Sequence, residues 1–183
     1  PLRRRRHARM TGDLATETQG LRIAINAFST SVGGGRRHLL RILPRIFEFG
    51  RKHAFTVFIG PSLEREFRSQ FHPNVVWRNV GFDGLATRKR LIWENAVFPL
   101  LLRQGGYDVV FCNANLSHFL GGTPRVIVVH NSLPFYPELH GVEDARMRRR
   151  LRLLRWGTHH FIRRAEGTVF VSQRSREDAL RGT

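Results

Sequence analysis

The stretch Leu21-Arg-Ile-Ala-Ile-Asn-Ala27, followed by Phe28-Ser-Thr-Ser-Val and then Gly33-Gly34-Gly35-Arg36-Arg37-His38-Leu39-Leu40, decides the fold. It reads as an apolar strand, a glycine-rich turn and the start of an amphipathic helix. Three adjacent glycines let backbone approach a ligand closely, and a following helix turns free N–H groups toward an anion. The turn is neither G-x-G-x-x-G nor a P-loop, since no Gly-Lys-Ser/Thr follows. Taken alone, a glycine-rich turn with no ligand explains it equally well.

The same unit recurs down the chain. Ala54–Gly60, Val75–Val80, Tyr107–Cys112, Arg125–His130 and Gly167–Ser172 are short runs rich in Val, Ile and Phe, several apolar on successive residues. Such runs fit strands covered on both faces. Between them, 36–50, 63–71, 87–104 and 143–165 carry helical spacing. The alternation predicts an α/β domain: a doubly wound, mostly parallel sheet with helices on both faces. Near the end, Ser175 is expected to cap a last helix with Asp178 in its first turn. A helix that has only begun by Thr183 suggests a domain cut short.

The charge is lopsided: 31 Lys and Arg stand against 14 acids, a formal +17. That balance favours phosphate groups, nucleic acid or an anionic membrane surface. Residues 1–9 alone hold five arginines. Two readings of this segment stand: Met10 as the true start with upstream sequence before it, or a basic and polar arm, residues 1–20, lying disordered outside the fold. The single Cys112 excludes an intrachain disulfide and points to a reducing, cytoplasmic compartment. No apolar run approaches the ~20 residues of a membrane span, and no apolar stretch behind the N-terminal arginines makes a secretory signal.

In an open parallel sheet, ligands bind beyond the carboxyl ends of strands. His130-Asn131-Ser132-Leu133-Pro134-Phe135-Tyr136 occupies such a position, although a lone strand-end imidazole more often has a structural role. Val171-Ser172-Gln173-Arg174-Ser175 is read first as helix capping. Cys112 reads as a buried small residue. His159 and His160, adjacent on a basic helix, point apart and make poor co-ligands for a metal. Glu138, Glu143 and Asp144 lie beyond one loop with no carboxylate partner for glycoside hydrolysis. Arg146–Arg164 is amphipathic, with Leu151, Leu154 and Phe161 as its packed face. Its arginines are a solvated surface or a contact for anionic lipid.

Three segments in order carry a family resemblance: Gly33-Gly34-Gly35-Arg36 with Leu39-Leu40; Val128-Val129-His130-Asn131-Ser132-Leu133-Pro134; and Ala165 through Ser172 leading to Ser175, Asp178 and Leu180. From about Leu21 to Leu180 the chain resembles the N-terminal domain of retaining glycosyltransferases of family 4, whose two Rossmann-like halves form a GT-B fold. Asn131 stands where many relatives have Asp, and the donor-binding half is not represented. The resemblance implies residues 21–183 as an acceptor-side domain that transfers sugar from a nucleotide diphosphate sugar, with no cofactor and no metal. It places Gly33, Gly34, Gly35 and Arg36 toward the donor phosphates and His130 as the catalytic-site residue against the sugar. Asn131 and Ser132 would contact sugar, and Asn113 and Asn115, with Ser117 and His118 beside them, would face a carbohydrate or lipid-linked acceptor. It implies a cytoplasmic enzyme, peripheral at the inner face of the membrane. Two other readings remain: a basic nucleic-acid-binding module, for which helix-turn-helix, zinc and RNA-binding signatures are lacking, and a stand-alone nucleotide-binding α/β protein.

Overall fold

A computed structural model describes residues 20–28, 33–67, 72–83, 87–136 and 144–181. The proposed N-terminal arm, Glu138 and Glu143 lie outside them. The strands are β1 (Arg22–Asn26), β2 (Ala54–Ile59), β3 (Val75–Asn79), β4 (Val109–Cys112), β5 (Arg125–Val129) and β6 (Gly167–Phe170). They form one parallel sheet in the order β3-β2-β1-β4-β5-β6. Helices α1 (Gly33–Phe49), α2 (Pro61–Phe67), α3 (Thr87–Ile92), α4 (Phe98–Gly105), α5 (Ala145–Arg164) and α6 (Gln173–Leu180) connect and cover the strands. The doubly wound α/β architecture is the one expected.

The unbroken apolar runs have their reason in two cores, one on each face. Ile25, Val57 and Ile59 pack with Leu39, Leu43 and Phe47 of α1 and with Leu63 and Phe67 of α2. On the other face Ala24, Phe58, Val110 and Ile127 pack with Phe98 and Leu102 of α4, Phe161 of α5 and Ala179 of α6. Adjacent residues of one strand, such as Ala24 and Ile25, therefore serve opposite cores.

Three details depart from the expected pattern. The glycine triplet is not a turn before α1 but its first turn, beginning at Gly33. At Gly34 an added Cβ would meet open space, so no neighbouring backbone demands the glycine there. The expected single helix 87–104 is interrupted by a π-turn, Trp93–Val97, in which the Phe98 N–H reaches back to the Trp93 carbonyl. Pro99 follows at once and has no N–H to continue the ordinary ladder. The cap of α6 is Ser172, whose side chain accepts the Ser175 N–H, and Ser175 itself is buried in the first turn. Ser175 lies inside the helix, where its hydroxyl accepts from Ser132 at 2.9 Å, and Asp178 falls beyond the first turn.

Helix α4 ends at Gly106, which takes a left-handed conformation at φ 57° and bonds the Arg103 carbonyl. An L side chain is strained there. Gly106→Ala should lower unfolding free energy by about 1 kcal/mol, read from the urea midpoint; no change would mean the chain exits α4 by another path.

Candidate functional site

The connections from β1 and β4 leave toward opposite edges of the sheet, so their carboxyl ends diverge and open a crevice. Five segments meet there: the first turn of α1, the start of the β4–β5 loop, the loop after β5, α3 and α5. They bound a cavity of about 280 Å³. Larger hollows of about 680 and 700 Å³ lie against Phe47 and His72 and along Arg37, Arg41 and Arg45, away from the carboxyl end of β4 and the His130 loop.

Asn113 is the hub. Its side chain is buried just past β4, and its Nδ2 donates to the Gly35 carbonyl at 3.3 Å. That bond fixes the amide, so Oδ1 faces His130 Nε2 at 2.8 Å and His38 Nδ1 at 3.1 Å. An oxygen facing two imidazole nitrogens requires a proton on each. His130 is therefore the Nε2–H tautomer, and its Nδ1 remains an acceptor. The His38 and His130 rings meet edge to face at 4.6 Å.

A second asparagine ties the loops together. Asn115 Oδ1 accepts the His130 and Asn131 N–H groups at 2.9 and 3.0 Å, and its Nδ2 donates to the Asn131 carbonyl at 2.7 Å. Asn131 Oδ1 then accepts the Leu133 N–H at 3.0 Å, shaping the turn at Pro134. Ser132 links this loop to α6 through Ser175. The Tyr136 hydroxyl also bonds Asp178, which together with Arg174 holds that carboxyl below its ordinary range.

Burial, reinforced by His38, lowers the His130 pKa to about 4. Burial and the Arg125 charge likewise bring His118 to about 4. Both imidazoles are neutral at pH 7. In the unfolded chain they titrate near 6.5, so the unfolded state takes up protons first as the solution is acidified. Their contribution is whole above about pH 6.5 and is lost as pH falls toward 4. Urea unfolding at pH 7, 5.5 and 4.5 should show this decline, with a shallower slope for His130→Gln; an unchanged slope would contradict the buried neutral imidazole.

The sequence-derived residues divide among several places. Gly35, Asn113, Asn115, His130 and Asn131 line the cavity, and Gly34 lies open on the adjoining face of α1. Gly33 contributes backbone to the first turn. Arg36 is turned to Glu66 of α2 and Ser132 to Ser175. Ser117 and His118, expected beside the acceptor, are buried, with Ser117 Oγ 3.1 Å from both the Cys112 sulfur and His118 Nδ1. Cys112 is an inert buried thiol, pushed up to about 12 by desolvation. His159 and His160 diverge as expected, toward Phe135 and Phe119 respectively. Sequence reasoning missed His38, Arg90, Glu94, Arg150 and the placement of Leu154 on the cavity wall. Only the i,i+4 pairs Arg90/Glu94 and Arg150/Leu154 left a trace in the sequence.

This geometry agrees with a comparison of sequences. The profile described as Glycosyltransferase Family 4 matches residues 32–182, nearly all of the described fold. The chain belongs to glycosyltransferase family 4. It is a glycosyltransferase domain of the N-terminal, Rossmann-like kind. No curated protein gave a match. Among the described residues, no helix of this family 4 domain is long and apolar enough to cross a membrane.

Proposed function

We propose that this domain is the acceptor-side wall of a retaining transferase that moves a sugar from a nucleotide diphosphate sugar to a carbohydrate or lipid-linked acceptor. The observation that carries the reading is the Asn113 hub, which holds the first turn of α1 and the His130 ring around one cavity. The donor phosphates face the Gly33–Gly35 end of α1, where N–H groups and the helix dipole stabilise charge on the leaving group. His130 lies against the transferred sugar and accepts a sugar hydroxyl at Nδ1. It is neutral and its Nε2 is committed, so it positions the sugar; the leaving phosphate takes the acceptor proton. The nucleotide sugar is a substrate, with no further cofactor. A second lobe grips the nucleotide, and residues 21–183 alone hold one wall of the cleft and turn over nothing.

A place at the inner, cytoplasmic face of the membrane fits α5, which has no acidic residue and exposes Leu153 and Trp156 among its arginines. Titrating the ¹⁵N-labelled chain with a nucleoside diphosphate sugar should move the Gly34 and Gly35 amides and the His130 ring. Equal, salt-sensitive shifts along Arg146–Arg164 with duplex DNA, and none at the glycines, would replace this reading with a nucleic-acid one. With the second lobe supplied, the product's anomeric proton should keep the donor's configuration; inversion would end the retaining assignment.

A further inference from the structure

The cavity that Asn113 lines is also lined by two cations with different foundations. Arg90 of α3 is held through Nε by Glu94 Oε2 at 3.2 Å. Glu94 is buried on the π-turn and is also approached, at 3.4 Å, by Asn26 Nδ2 from the end of β1. A carboxylate this deep requires a cation, which locks the Arg90 guanidinium at the cavity wall. The contact uses Nε, and among the described residues both Nη groups keep their donors. Arg150 comes from α5, one turn before Leu154, and the two line the same wall. Among the described residues Arg150 makes no ion pair. Among the described residues no carboxylate lines the cavity, His130 is neutral, and the positive end of α1 opens at Gly35.

We propose that Arg90 and Arg150 form a phosphate-recognising subsite, so that the acceptor of the transferred sugar carries a phosphoryl group. This rests on the transferase reading above and adds the acceptor's chemical class. Guanidinium groups offer paired N–H donors that match phosphate oxygens. At about 280 Å³ the cavity falls just short of the ~300–1,000 Å³ usual for a whole small-molecule ligand. It has room for a phosphorylated headgroup of about one ring and not for an entire nucleotide sugar. The donor phosphates stay with the α1 amides, and the acceptor phosphate pairs with the arginines. Leu154 and Pro134 cover the apolar edge of the headgroup.

The test titrates the chain with glycerol 1-phosphate, with glycerol, with UDP, and with phosphatidylcholine vesicles with and without phosphatidic acid. Glycerol 1-phosphate should shift the Arg90 and Arg150 side-chain N–H signals, and glycerol should not. Arg90→Gln and Arg150→Gln should each weaken phosphomonoester binding at least about tenfold. Arg149→Gln, an exposed arginine of α5 outside the cavity, should leave glycerol 1-phosphate binding unchanged. Phosphatidic acid binding with the same dependence identifies a lipid headgroup as the source, whereas a response to glycerol 1-phosphate alone identifies a soluble phosphate. Equal loss in Arg149→Gln, or no phosphomonoester binding, overturns the subsite. Loss of UDP binding in Arg90→Gln and Arg150→Gln also overturns it, assigning the cations to the donor while the transferase reading stands. Phosphomonoester binding at both arginines with no UDP response at Gly34 and Gly35 does the reverse: the subsite stands and the donor assignment falls.

Discussion

Asn113→Ala should cost about 2 kcal/mol of unfolding free energy and free the His130 ring, because it strands several half-buried polar groups at once. The Gly35 carbonyl loses its donor, and His130 Nε2–H and His38 Nδ1–H lose their acceptor. Leaving partners unpaired where water only partly reaches them is worse than losing the bonds themselves. The urea midpoint should fall, and with both lobes present turnover should drop about a hundredfold through misplacement of the sugar-facing ring. Asn113→Asp separates the roles. It preserves oxygen acceptors for both imidazoles but places a negative charge beside His130, so the His130 pKa should rise from about 4. A stability within experimental error of the parent for Asn113→Ala would mean that the loops hold their positions without this hub.

The larger loss of stability is expected at Phe98, buried where the π-turn passes into α4. Its ring lies 5.0 Å from Trp93, 5.1 Å from Phe58 and 5.4 Å from His118. Phe98→Ala should destabilise the domain by about 3–5 kcal/mol. Total stabilities are commonly ~5–15 kcal/mol, so this is a large share. Leu100, 58% exposed on the same helix, is the control, and Leu100→Ala should stay within about 0.5 kcal/mol of the parent. The same cavity would loosen the π-turn that presents Glu94, so the Arg90 side-chain signal in Phe98→Ala should broaden even below the unfolding transition. A sharp, unshifted Arg90 signal would show that the pair is held independently of the aromatic cluster.

These two sites also show how far the chain could be read unaided. The parallel sheet was legible because Arg125–Val129 and Ala54–Ile59 are apolar on consecutive residues, a pattern that only two cores explain. His130 at a strand tip was legible from local order alone. The Asn113 hub was not: its partners Gly35 and His38 come from α1, remote in sequence, and join it only when β1 and β4 pair. Arg90 and Glu94 look in sequence like an ordinary helix-surface pair. The Asn26 amide and the aromatic cluster carry Glu94 inside, and neither signal is local. Ser172 and Ser175 were both plausible caps by spacing, and the helix begins directly after the extended Ser172, whose hydroxyl takes the Ser175 N–H.

The strand order has a consequence for how the domain is made. β1 lies between β2 and β4, and its partner residues in β4 are Val109–Cys112. A ribosome therefore releases β1, β2 and β3 well before anything can pair with the second edge of β1. Until β4 emerges, the half-sheet ends in a bare edge along β1 and an uncovered face of Ala24 and Phe58. Such a nascent species is open to mispairing with another copy of itself. Long-range pairing of this kind also slows refolding from denaturant. Yield on expression should thus depend on chaperone capacity and on translation speed through residues 80–112 more than on the stability of the finished fold.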